Sequence, residues 1–200
     1  MKLAIFNRIV FLITGIIAGS KIISGMDTYS DLTTFYFTVA FGVLLLACLL
    51  LLLIGFEIME NNFVAVVAAL IPISLSLAII NNRLPEYYLI YAIIIGIGFL
   101  IAIYLRFYAT EKIASLSFGL IHGVSGTVIV LIPIVLLLTS SIQLQYVFVS
   151  VGGIFIGIGG MLLAFVKAGK PILSKELVIS LFPIILFIAT TAFVIGLSIR

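Results

Sequence analysis

Apolar residues run along this chain in long blocks, and the polar residues fall between them. Crossing ~30 Å of hydrocarbon as a helix takes about 20 residues at 1.5 Å each. Seven blocks meet that length: Ile5–Ser24, Thr34–Ile58, Phe63–Ile80, Tyr87–Tyr108, Ile113–Leu138, Leu144–Val166 and Leu177–Ile199. Strands of a membrane barrel would alternate apolar and polar positions, and runs such as Leu49 to Ile54 do not alternate. The pattern predicts an all-α integral membrane protein with about seven transmembrane helices in a single domain over residues 1–200. Short connections make neighbours antiparallel, which groups the spans as hairpins over 5–58, 63–108 and 113–166 with a final helix over 177–199.

The second member of each hairpin follows a common plan. Tyr36 to Glu57, Tyr88 to Arg106 and Tyr146 to Lys167 each open on tyrosine and end on a charge. Each also carries glycine early: Gly42, then Gly96 and Gly98, then Gly152, Gly153 and Gly157. A threefold repeat of one hairpin is the reading this supports. Pro72, Pro133 and Pro183 lie inside the third, fifth and seventh spans. Proline removes a hydrogen-bond donor and kinks a helix, and in lipid the freed carbonyl needs a neighbour or a lined cavity.

Composition removes other classes. With 64% hydrophobic and 8% charged residues, there is too little polar surface for a soluble domain. The net charge of +3 implies no nucleic-acid partner, because the basic residues sit at helix ends and form no patch. Lys2, Arg8, Arg106, Lys112, Lys167, Lys170 and Lys175 fall on one side of the predicted spans, and only Lys21, Arg83 and Arg200 on the other. Cationic loops stay in the cytoplasm, so the expected placement is a cell-membrane protein with its N-terminus inside and its C-terminus outside. Tyr29, Tyr36, Tyr87, Tyr88, Tyr91 and Tyr146 then form an interfacial belt on the outer side. The first span follows a lysine and reads as a retained signal-anchor helix. Cys48, the lone cysteine, is a small apolar filler.

The stretch from Arg83 through Leu84-Pro85-Glu86-Tyr87-Tyr88 and Gly96-Ile97-Gly98 to Arg106 resembles a hairpin of the HdeD family of small bacterial and archaeal membrane proteins. So does Gly119-Leu120-Ile121-His122-Gly123-Val124-Ser125-Gly126 with Tyr146 to Ala164. That family is built of tandem hairpins with glycine-rich second helices and is associated with acid resistance. The resemblance implies a non-enzymatic stress-response protein, with no catalytic residue, cofactor or metal to carry over. This chain departs from the family plan in having a seventh span and only one outer-loop proline, Pro85.

Few residues offer chemistry. His122, the single histidine, falls about nine residues into the fifth span, ~14 Å deep at helical rise. An ionisable group at that depth is a functional candidate by default, and Ser125 one turn on predicts a shared polar face. Gly123-Val124-Ser125-Gly126 has the GxSG form of rhomboid-type proteases, but no histidine follows on a later helix to activate the serine. The fifth span also spaces Ser115, Gly119, Gly123 and Thr127 four residues apart, and the sixth offers Gly153, Gly157, Gly160 and Ala164. Small residues let helices approach closely, so these two stripes are the expected contact. The implied partners are the lipid bilayer, further copies of the chain, or other membrane proteins. The expected function is in envelope stress or as a subunit of a membrane assembly, the alternative a small channel or transporter for protons or another small solute.

Overall fold

The computed structural model describes residues 4–24, 28–139, 142–167 and 172–198. Lys2, Lys170, Ile199 and Arg200, which enter the expectations above, lie outside them. The described secondary structure is helical throughout: α1 (Ile5–Ile23), α2 (Asp31–Leu53), α3 (Asn62–Arg83), α4 (Pro85–Tyr108), α5 (Glu111–Thr139), α6 (Val147–Lys167) and α7 (Lys175–Gly196). Two short 3-10 turns, Phe56–Glu60 and Leu144–Tyr146, complete it. Among the described residues seven helices are long and apolar enough to cross a membrane, so this is a polytopic membrane protein by length and composition.

Local chemistry sets the helix ends. Ser30, Asn61 and Ser174 accept bonds from backbone N–H groups of the first turns of α2, α3 and α7, which would otherwise lack partners. α2 stops at Leu53 rather than running on to Ile58. Gly55 adopts φ 87, a left-handed conformation suited to glycine, and the chain turns there. The turn delivers Phe56 onto Phe11 of α1 and Phe182 of α7, with ring centroids 6.1 and 5.6 Å away. Between α3 and α4 a single residue, Leu84, intervenes, where a longer connection was expected. Pro85 begins α4 at a position whose missing N–H costs nothing.

α1 packs on α2, α2 on α3, α3 on α5, α5 on α6, α6 on α7, and α7 back on α1. α4 packs on α3 and α5, with only Ile95 and Ala102 buried along its length. α3 is enclosed, every residue from Ile71 to Ile80 being buried. One of its faces joins a core with Phe11, Phe37, Phe41, Ile129, Tyr146 and Phe193. Another joins a smaller cluster with Ile95 and Ala102 of α4 and Phe118 and Ile121 of α5. The three expected hairpin pairs touch, but α2 and α6 sit between two helices of the main core while α4 lies beside the smaller one.

Lipid tails are as apolar as these side chains, so close fit and hydrogen bonds hold the helices together rather than apolar burial. The tightest fit is α6 against α7. A methyl group on Gly152 would stand 2.7 Å from the Phe193 ring and 2.9 Å from the Ala189 carbonyl oxygen. A methyl on Gly196 would stand 2.7 Å from the Val149 backbone nitrogen. Pro72, Pro133 and Pro183 are all buried inside continuous helices. Pro133 leaves the Ile129 carbonyl without its usual donor. On the neighbouring carbonyl, Val130, the Ser150 hydroxyl of α6 donates a bond of 2.7 Å.

Candidate functional site

His122 and Ser125 do not share a face. Ser125 is fully buried and turns toward α3 and α4, next to the Tyr91 hydroxyl. Tyr91 donates to Ser76 Oγ at 2.8 Å, and Ser76 donates to the Ile73 carbonyl at 2.8 Å. The Ser125 hydroxyl makes no bond of good geometry. This seam ties α3, α4 and α5 together. His122 is exposed, and its Nδ1 lies 3.0 Å from the Phe118 carbonyl one turn back. A carbonyl only accepts, so Nδ1 carries the proton and Nε2 of the neutral ring is an acceptor. Packing separated the two residues: α3 and α4 cover the Ser125 side of α5 and leave the other side open.

The predicted glycine contact forms only in part. α5 and α6 pack together, but through Gly153, where a methyl group would stand 2.9 Å from both Ile129 and Val130. Gly157 and Gly160, one and two turns further along α6, have nothing within 4 Å of an added methyl. Gly119, Gly123 and Gly126 of α5 are equally free. Ser115, Gly119, Gly123 and Thr127 are all exposed. The reason lies in α6, which fits tightly along α7 through Gly152 and Gly159 and meets α5 closely only around Gly153. The small-residue stripe of α5 therefore faces outward, with His122 beside it.

A second concentration of polar groups lies where α1, α3 and α7 end and α2, α4 and α6 begin. Asn81 donates to Thr33 Oγ1 at 2.7 Å and to Ser30 Oγ at 3.3 Å, which fastens the end of α3 to the start of α2. Tyr36 and Tyr88 join their hydroxyls at 2.7 Å. Lys21, only 6% exposed, donates to the Leu197 carbonyl at 2.9 Å and to Ser198 Oγ at 3.2 Å. Its cation thereby meets the negative end of the α7 dipole. Tyr29 donates to the same carbonyl at 3.1 Å. Burial raises the Tyr29 phenol above its ordinary pKa, and the nearby Arg83 charge partly opposes the rise.

Sequence reasoning took Lys21, Arg83 and these tyrosines as topology markers and missed their convergence. The available signal was that the described cations on that side, Lys21 and Arg83 at the ends of α1 and α3, stand eight and four residues before Tyr29 and Tyr87. Among the described residues no three His, Cys, Asp or Glu side chains gather where a metal could be held. Comparison with known protein families, characterised proteins and solved structures finds no match.

Proposed function

We propose that this is a non-enzymatic polytopic protein of the cell membrane that works as a subunit of a membrane assembly, associating through the open face of α5 and α6. The observation that carries this reading is the outward small-residue stripe with His122 beside it. Gly119 and Gly123 let a partner helix approach to backbone distance. The Nε2 acceptor of His122, costly to leave bare in hydrocarbon, would take a donor from that helix. The simplest partner is a second copy, whose α5 or α6 offers a matching surface. An HdeD-like role in envelope stress is the biological setting this reading fits, with the three hairpins taken as copies of one repeat. The cation asymmetry supports a cytoplasmic N-terminus and an external C-terminus.

The alternative is a small proton or solute pathway, and it draws less support. Its histidine candidate, His122, is exposed on α5, while Phe11, Phe37, Phe41 and Phe193 fill the core between the helices. Disulfide trapping tests the assembly. In a Cys48→Ala background, Gly123→Cys should give a cross-linked dimer on mild oxidation in native membranes, and Leu100→Cys on the exposed face of α4 should not. Equal trapping at both positions, or none at Gly123→Cys, would overturn the proposal.

A further inference from the structure

Arg83 ends α3 with its guanidinium carbon 4.4 Å from the centroid of the Tyr146 ring. Tyr146 is 2% exposed and belongs to the main core. Its hydroxyl is buried and has no hydrogen-bond partner, and the same holds for Arg83 Nε. Arg83 is half-buried, and its outer two guanidinium nitrogens are not among the enclosed, unpartnered atoms. Tyr29 lies near enough for the Arg83 charge to oppose the rise that burial causes in its phenol. Lys21 reaches the Leu197 carbonyl that Tyr29 also holds. Two cations and two phenols from separate segments thus gather at one end of the helices.

The two cations are accounted for unequally. Lys21 is satisfied by the carboxyl end of α7 and a serine hydroxyl. Arg83 lies over the Tyr146 ring and is half-buried, and its Nε has no partner among the described residues. A planar guanidinium held in that way matches an oxyanion through two parallel bonds. The Tyr29 hydroxyl already donates to the Leu197 carbonyl, so the guanidinium is the principal donor. Tyrosines mark the depth at which a membrane gives way to water, which is also the depth of lipid phosphates, and basic pockets between membrane helices take such headgroups.

We propose that Arg83, stacked on Tyr146 and flanked by Tyr29 and Lys21, binds a phosphate group, carried by an anionic phospholipid or free in solution. The bound oxygens accept from the outer guanidinium nitrogens, and the Tyr29 and Lys21 side chains close the site on the α7 side.

The test uses the full chain purified in a neutral detergent, with thermal unfolding followed against added probe. One arm titrates phosphatidylglycerol, a second inorganic phosphate, and a third diacylglycerol, which lacks phosphate. Saturable stabilisation by phosphatidylglycerol alone assigns a lipid site, and saturable stabilisation by inorganic phosphate assigns a site for the free anion. Either outcome supports the proposal provided that Arg83→Gln weakens the affinity about tenfold, near 1.4 kcal/mol, while Arg106→Gln at the opposite end leaves it unchanged. Should Arg83→Gln fail to fold, Arg83→Lys decides, because it keeps the charge and loses both the fork and the stacking. Stabilisation by neither phosphate probe, equal stabilisation by diacylglycerol, or Arg83→Gln or Arg83→Lys binding like the parent would overturn the proposal.

Discussion

Gly152→Ala is the smallest change that probes how α6 and α7 are held. The added methyl would stand 2.7 Å from two carbons of the Phe193 ring and 2.9 Å from the Ala189 carbonyl oxygen. Carbon atoms rest at about 3.5–4.0 Å, so the ring must retreat by roughly 1 Å. It has nowhere to go: Phe193 and Ala189 are both fully buried, and the second clash is with backbone. Either α6 and α7 separate along their whole contact or Phe193 leaves its rotamer, and overpacking of this kind costs about 1–3 kcal/mol. Gly157→Ala, five residues along on the same helix, meets nothing within 4 Å. There the gain in helix propensity, up to about 1 kcal/mol, acts alone. Reversible unfolding of both variants in mixed detergent, followed by circular dichroism, should show Gly152→Ala weakened and Gly157→Ala equal to the parent or better. A Gly152→Ala protein as stable as the parent would refute the packing argument.

Other perturbations give distinct readouts. Gly157→Leu, on an open face, should leave unfolding stability within about 0.5 kcal/mol of the parent, although the sequence pattern alone predicted overpacking there; a larger loss in the same denaturation assay would mean the face is covered within one chain. Ser150→Ala removes the bond to the Val130 carbonyl beside the Pro133 kink and should cost about 1 kcal/mol, read from the shift in denaturant midpoint; an unchanged midpoint would show that the bond contributes nothing. For topology, a cysteine at Gln143 should react with an impermeant reagent from outside and one at Gly169 only from inside, both in a Cys48→Ala background. Labelling of both from one side would contradict the seven-span order.

The helices were legible because crossing a bilayer demands length and apolarity, and both are written in composition. Helix ends were less so. Gly55, a glycine among many, decides where α2 stops only because Phe56 then packs on Phe11 and Phe182, a contact between residues distant in sequence. Ser125 and His122 show the same limit. Three residues apart on a helix they face nearly the same way, and only the placement of α3 and α4 buries one and exposes the other. Of the glycines in the two stripes, Gly153 stands at a close approach and Gly119, Gly123 and Gly157 do not, since a small residue permits approach without saying which helix approaches. The spacing of cations and tyrosines did not say that Lys21, Tyr29, Arg83 and Tyr146 converge, because the closing contact of α7 with α1 joins the two ends of the chain.

Association of the protein depends on whether the outward face of α5 and α6 is an interface. Single-molecule photobleaching of fluorescently tagged protein, reconstituted at low density in lipid bilayers, counts the copies in each spot. The parent should bleach in two or more steps, and the double variant Gly123→Leu with Gly157→Leu, folded to the same stability, should bleach in one. Single-step bleaching of the parent, or multi-step bleaching that survives both leucines, would contradict the claim that this face joins the protein to a partner.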